Sequence, residues 1–259
     1  MFKRRRTKVD LSVYIFRHGE SQYNQPYSLN IDEANDLTYN GAEIVKNNIK
    51  TIDFTYKDSV RIWSSPLGRT LHSAKIIKRD LEERCVSCGR VEPSYEIGEV
   101  ENFSWTLFYP LVNGGEINFN NNRFFVDKTQ SNPDNLDWIN FFMKNEAHNR
   151  VGFLSIPEDY KNKIKSFERF EDVTKRMLDF LENSKNKLMN KTKGIFVTHS
   201  GLISFFADVY SEGKIKEIQP GDYINLIMNE KRVYVNNING LKKGKYIDII
   251  EEFKRRYGK

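Results

Sequence analysis

The sequence predicts an α/β protein in three layers, α/β/α, with a mostly parallel central sheet, helices on both faces and an inserted cap region. Two observations predict it. Short β-rich apolar runs recur along the chain, each ending abruptly in polar residues at a turn, and helical stretches with recognisable caps lie between and after them. Strands that alternate with helices are joined by right-handed crossovers, which make neighbouring strands parallel and place helices on both sides of the sheet.

The first run, Leu11 to Phe16, is followed at once by Arg17-His18-Gly19-Glu20, as a buried strand ending in a sharp turn would be. A helix is expected over Thr38 to Ile49, with Thr38 as N-cap and Glu43 in support. The second run, Val60 to Trp63, ends in Ser64-Ser65-Pro66, and a helix is expected from Pro66 to Glu83, where an early proline loses no hydrogen bond. Phe170, Val173, Met177, Leu178 and Leu181 share one helical face within Phe167 to Leu188. The third run, Gly194 to Thr198, ends in His199-Ser200-Gly201, with a helix opening after Ser200. Tyr223 to Met228 and Arg232 to Val235 flank a turn and read as a hairpin, and a last helix runs from Ile247 to Tyr257. From about Asn102 to Tyr160 the chain is rich in Asn and aromatics without a steady period. The expected organisation is a basic tail over residues 1–10 and one domain over 11–259, with an insertion at about 102–160.

Composition excludes more than it identifies. With 259 residues, 39% hydrophobic and 29% charged, the chain can bury a core and is neither fibrous nor disordered. No run approaches the roughly 18 apolar residues of a membrane span, and the basic start MFKRRR has no apolar region of a signal peptide behind it. Two cysteines point to a reducing compartment, most simply the cytoplasm. The net charge of +6 admits nucleic acid, an anionic surface or small anions as partners, or serves only solubility.

Position is more informative than net charge. Arg17-His18 and His199 directly follow the first and third runs, and Arg69 lies just inside the helix after the second. In an open parallel sheet the ligand crevice lies outside the carboxyl ends of the strands. Two guanidinium forks there match phosphate oxygens, the helices after Ser65 and Ser200 add backbone N–H donors, and histidine serves as nucleophile or proton carrier near neutral pH. His72 and His148 read as ordinary polar residues.

Arg17-His18-Gly19-Glu20-Ser21 with Asn24 resembles the RHGE(S/T)xxN signature of the histidine phosphatase superfamily, the phosphoglycerate mutase-like proteins. Ser65-Pro66-Leu67-Gly68-Arg69-Thr70 with Ser73-Ala74 resembles the second motif of that family, and Val197-Thr198-His199-Ser200-Gly201 its third. Asp36-Leu37-Thr38 with Gly41 is similar to the segment opening the family's first helix, and Glu168 and Arg176 have the spacing of a helix pair found there. The resemblance implies that His18 is a nucleophile forming a phosphohistidine. It implies that Arg17, Arg69 and His199 hold the phosphoryl oxygens, with Ser21, Asn24 and Ser200 as further substrate-binding residues. The family takes the leaving-group proton from an acid in mid-chain. Glu96, Glu99 and Glu101 are the candidates, and Tyr95-Glu96-Ile97 matches best, making Glu96 the expected acid.

The expected function is thus a metal-independent phosphatase that hydrolyses a phosphomonoester through a phosphohistidine on His18. The alternatives are a 2,3-bisphosphoglycerate-dependent phosphoglycerate mutase and an idle member that binds a phospho-ligand. The GWxDxxL-like segment of the mutases is not found between Gln25 and Leu37, and the RHGxRxP pattern of the acid phosphatase branch is replaced. No cofactor and no metal are expected. The partner is a small phosphorylated substrate or a phosphoprotein, with no nucleic acid and no membrane. Cys85 and Cys88 form a CxxC without the second pair a structural zinc needs, and Glu168 with Arg176 reads as a structural pair or exposed helix charges. Phe103, Trp105, Phe108 and Tyr109 either line a substrate pocket or pack the insertion.

Overall fold

The computed structural model describes residues 11–21, 36–98, 115–119, 122–126, 170–188, 192–215, 218–229, 232–238 and 247–258. The chain divides into two compact units, one of residues 1–98 and 174–259 and the other of residues 99–173.

In chain order the described elements begin with β1 (Leu11–Arg17), α1 (Tyr39–Lys50), β2 (Ser59–Ser64), α2 (Gly68–Glu83) and β3 (Ser87–Pro93). A 3-10 turn, Tyr95–Ile97, follows, then β4 (Gly115–Phe119), β5 (Asn122–Val126) and α3 (Phe170–Ser184). The last group is β6 (Thr192–Thr198), α4 (Ser200–Ser211), β7 (Tyr223–Met228), β8 (Val233–Ile238) and α5 (Ile249–Tyr257). Among the described residues no helix is long and apolar enough to cross a membrane.

Six strands of the first unit form one sheet in the order β3-β2-β6-β1-β7-β8. The first four are mutually parallel, whereas β7 and β8 are antiparallel additions at one side. Both faces are covered, which is why the central strands read as nearly continuous apolar runs rather than alternating ones. Phe16, Val60, Ile62, Ile195 and Val197 share a core with Val45 and Ile49 of α1 and Ala74, Ile77 and Leu81 of α2. On the opposite face Trp63 and Phe196 meet the ring of Phe180 from α3 at 6.3 and 5.1 Å between centroids. The predicted three-layer class is therefore found in this unit. The second unit contains the antiparallel pair β4–β5, registered from Gly115↔Val126 to Phe119↔Asn122, in the stretch where the sequence shows no steady period.

Several element boundaries differ from expectation for local reasons. α2 starts at Gly68 rather than Pro66, because Ser65 still donates its N–H to Val197 O in the sheet (2.9 Å) and a residue before proline disfavours the helical region. α3 ends at Ser184, whose hydroxyl bonds back to Leu181 O, and a 3-10 turn, Lys185–Leu188, brings buried Leu188 onto Gly194. α5 starts two residues later than predicted, since Asp248 caps the N–H groups of Ile250 and Glu251.

β3 was not anticipated. It is an edge strand, Ser-Cys-Gly-Arg-Val-Glu-Pro, with no buried residue and a single aliphatic side chain, Val91, so no apolar pattern announces it. The turn into it is a Schellman ending of α2. Cys85 takes a left-handed φ of 58°, its N–H reaches Glu82 O, and the Val86 N–H reaches Leu81 O. The basic cluster on α5 is neutralised by Lys254–Glu251, Arg255–Glu252, Arg256–Glu252 and Arg256–Asp208 pairs. Hydrogen bonds from Arg255 hold the Glu252 carboxyl down to about 2.

Candidate active site

The strands β2, β6 and β1 lie side by side and end at the same level. Arg17 pairs with Thr198 and Ser64 with Val197, and the ladder continues one step further through His18 N–H to Thr198 O and Ser65 N–H to Val197 O, both 2.9 Å. His18, His199 and Ser65 therefore leave three adjacent strand ends together. This is the carboxyl edge where parallel sheets form their crevices.

All four residues expected at the centre are there. Arg17, His18, Arg69 and His199 are buried, and the two imidazole rings stand edge to face with centroids 5.2 Å apart. His18 Nδ1 lies 2.7 Å from Gly19 O, an acceptor, so this nitrogen carries the proton. Arg69 Nε donates to His18 Nε2 at 3.3 Å, which requires a lone pair there. Burial, reinforced by the charges of Arg69, His199 and Arg17, drives the His18 pKa well below its ordinary value, against the Gly19 bond that favours protonation. The ring is thus a neutral base whose Nε2 is aimed at the guanidinium of Arg69.

The neighbours are fixed by backbone. Arg17 Nη1 donates to Ile218 O at 2.6 Å and its N–H to Asp222 O, so the loop before β7 sets the guanidinium. Gly19 N–H donates to Ser73 Oγ (3.0 Å), and Ser73 Oγ donates to Arg69 O (2.8 Å), locking the histidine loop to the first turns of α2. His199 caps α4 and holds Nε2 2.9 Å from Ser65 Oγ. Gly19 and Gly41 allow α1 to touch this loop. A Cβ at Gly41 would lie 2.1 Å from Glu20 O, and one at Gly19 2.4 Å from Gly41 O. Thr38 completes the junction, donating through its N–H to Glu20 O and through its hydroxyl to Glu20 Oε2.

Ser65 and Ser73 belong to the second motif, and the sequence alone gives them no role at the site. The usable signal for Ser73 is its spacing, four residues after Arg69 on the same buried face of α2. For Ser65 it is the position directly after a strand. Ser21 is buried, its backbone bridged to Leu37, and Ser200 opens α4 with its carbonyl accepting from Ser204. Asn24, Glu99, Glu101, His148, Glu168 and the aromatics Phe103, Trp105, Phe108 and Tyr109 lie outside the described residues.

Glu96 is exposed on the 3-10 turn, where Ser94 Oγ donates to its Oε2 at 3.3 Å. The turn itself is brought to the strand ends by Ser94 N–H to Ser64 O (2.8 Å) and Thr198 Oγ1 to Ile97 O (2.7 Å). His72 is set apart from the cluster and faces Asp36 at 3.5 Å on the surface. Cys85 and Cys88 are free thiols, with Cys88 pushed up to about 11 by burial. Among the described residues no three His, Cys, Asp or Glu side chains gather as metal ligands would.

The family model described as histidine phosphatase superfamily (branch 1) matches residues 13–94. No curated protein sequence matches the chain. Among solved structures, an α-ribazole phosphatase from Shigella flexneri is 18% identical, with 91% of this chain and 99% of that one covered at a TM-score of 0.51. A phosphoserine phosphatase from Entamoeba histolytica in complex with 3-phosphoglyceric acid is 16% identical over 89% and 97% of the two chains, at 0.52. A phosphoglycerate mutase from Bacillus anthracis is 13% identical over 90% and 94%, at 0.53. At these identities the likeness is one of fold. Residues 13–94, which hold the first histidine and the second motif, thus match the histidine phosphatase superfamily (branch 1), and the chain shares its fold with these solved structures.

Proposed function

We propose that the protein is a phosphomonoesterase that works through a phosphohistidine on His18 and needs no metal. The observation that carries this reading is the state of His18. It is a buried, neutral imidazole with its proton held on Nδ1 by Gly19 O and its lone pair on Nε2 beside a guanidinium.

In the reaction, His18 Nε2 attacks phosphorus and the P–O bond to the leaving group breaks. The leaving oxygen takes a proton from a carboxylic acid, for which Glu96 is the candidate among the described residues. Arg69, released from Nε2 as that lone pair forms the P–N bond, turns its donors to the phosphoryl oxygens together with Arg17 and His199. Arg17 and His199 are already held beside the nucleophile and Arg69 has only to turn its donors, so charge that spreads onto the equatorial oxygens is stabilised with little reorganisation. Water then attacks phosphorus, the P–N bond breaks, the carboxylate takes the water's proton, and Nε2 regains its lone pair. A small phosphorylated molecule or a phosphoprotein is the substrate, and the cytoplasm the proposed location.

Steady phosphate release from an aryl phosphate, unchanged by chelator and abolished in His18→Ala, is the expected result. Undiminished release by His18→Ala defeats the reading. Isomerisation of phosphoglycerate that depends on 2,3-bisphosphoglycerate, without net phosphate, marks the mutase instead. Retention of a phospho-ligand without turnover marks the idle binder.

A further inference from the structure

Arg176 stands half-buried on α3, and its Nη1 donates to three backbone carbonyls of one short segment: Glu96 O at 2.9 Å, Gly98 O at 3.3 Å and Tyr95 O at 3.5 Å. Those acceptors lie 78 to 81 residues away in sequence. A lone helix-surface arginine is normally solvated. This one spends its charge on the carboxyl end of the 3-10 turn that carries Glu96 and leads into Glu99.

The helix that carries it is packed onto the central sheet. Phe180, one turn along α3, packs its ring on Trp63 and Phe196 of the central strands, so the helix is registered to the same strand ends that bear the site. From the other side Thr198, the residue before His199, donates its hydroxyl to Ile97 O at 2.7 Å, and Ser64 O accepts the Ser94 N–H at 2.8 Å. Between them these groups engage the backbone of residues 94 to 98 at every residue. The side chain of Glu96, in contrast, is exposed.

We infer that Arg176 is a positioning residue for proton donation: it fixes the backbone of the acid-bearing turn, so that the carboxyl meets the leaving-group oxygen as the P–O bond breaks. This rests on the phosphatase reading of the site. On this reading Arg176 acts through the backbone of the turn, so its loss should spare phosphate binding and the attack itself. What it should damage is protonation, which matters in proportion to how poor the leaving group is. General acids contribute roughly 100- to 10,000-fold, and a misplaced acid forfeits part of that.

The experiment compares wild type, Arg176→Ala and Arg176→Lys on an activated aryl phosphate and on an alkyl phosphate, with inhibition by inorganic phosphate measured beside them. The expected result is that Arg176→Ala loses about tenfold to a hundredfold more kcat/KM on the alkyl ester than on the aryl ester, with phosphate inhibition unchanged and Arg176→Lys in between. Equal losses on both esters, or weakened phosphate inhibition alone, overturn the inference while leaving the phosphatase reading intact. A wild type that hydrolyses neither ester removes that reading and this inference with it. Should Arg176→Ala fold poorly, Arg176→Lys carries the test, because it keeps the charge but presents one ammonium to three carbonyls. No difference in leaving-group dependence between Arg176→Lys and wild type also overturns the inference.

Discussion

Arg69 Nε and His18 Nε2 lie 3.3 Å apart, although His18 follows β1, Arg69 sits in the first turn of α2 and 51 positions separate them in the chain. A guanidinium is a donor at any working pH, so its approach defines a lone pair on that nitrogen. With Gly19 O holding Nδ1–H on the other side of the ring, the tautomer, the charge and the direction of the Nε2 lone pair are set.

The first consequence is a pH profile. His18 is held well below its ordinary value, first by burial and then by Arg69, His199 and Arg17. Activity that requires its neutral form should therefore stay flat as pH falls through about 6.5, where an ordinary histidine would protonate. Plotting kcat/KM against pH, corrected for ionisation of the substrate, checks this. A break at that pH, matched by titration of the His18 ring in an NMR pH series of the wild type, contradicts it. The same shift has a sign for stability. The folded chain binds fewer protons than the unfolded one below about pH 6.5, so the His18 contribution is full above that pH and lost as pH falls. Acid unfolding of His18→Asn should accordingly be displaced to lower pH.

Ser65→Ala removes the hydroxyl 2.9 Å from buried His199 Nε2. A loss of about 1–3 kcal/mol is expected in denaturant unfolding, because a buried ring nitrogen loses its partner. Turnover should fall with it, since His199 is no longer oriented.

Gly41→Ala meets backbone rather than a pliable side chain. Its Cβ would sit 2.1 Å from Glu20 O, so α1 and the histidine loop must part. A destabilisation of about 2–4 kcal/mol is expected, with activity falling beyond what the unfolded fraction explains. Urea titration at several concentrations of inorganic phosphate separates the two effects.

Cys85→Gly should stabilise. A left-handed φ of 58° burdens an L-residue by about 1–2 kcal/mol, and the greater freedom of glycine when unfolded returns about 0.5–1 of it. The expected net gain is about 0.5–1 kcal/mol in chemical unfolding. In the wild type a maleimide at pH 8 should label exposed Cys85 well before Cys88, whose thiol is pushed up to about 11.

Much of this was legible in the sequence, and for a definite reason. The central parts of β1, β2 and β6 are covered on both faces, so their runs are nearly continuously apolar and the polar residues after them stand out. Arg17, His18 and His199 could be read from that contrast alone, and Arg69 with the help of the motif. β3 could not, because an edge strand half-exposed to solvent carries no apolar signature. Arg176 was legible only through its spacing from Glu168, not through the carbonyls some 80 residues away that it binds. Ser65 and Ser73 fall between these cases, present in motifs but assigned a partner only by the fold.

The central claim, that His18 Nε2 takes the phosphoryl group, is tested most directly by stopping turnover of a phosphomonoester in alkali and mapping the bound phosphoryl by mass spectrometry. One acid-labile, alkali-stable phosphoryl group on the peptide containing His18, absent in His18→Ala, is the predicted result. Phosphate release that proceeds with no phosphoryl on His18, or with the group on another residue, would contradict it.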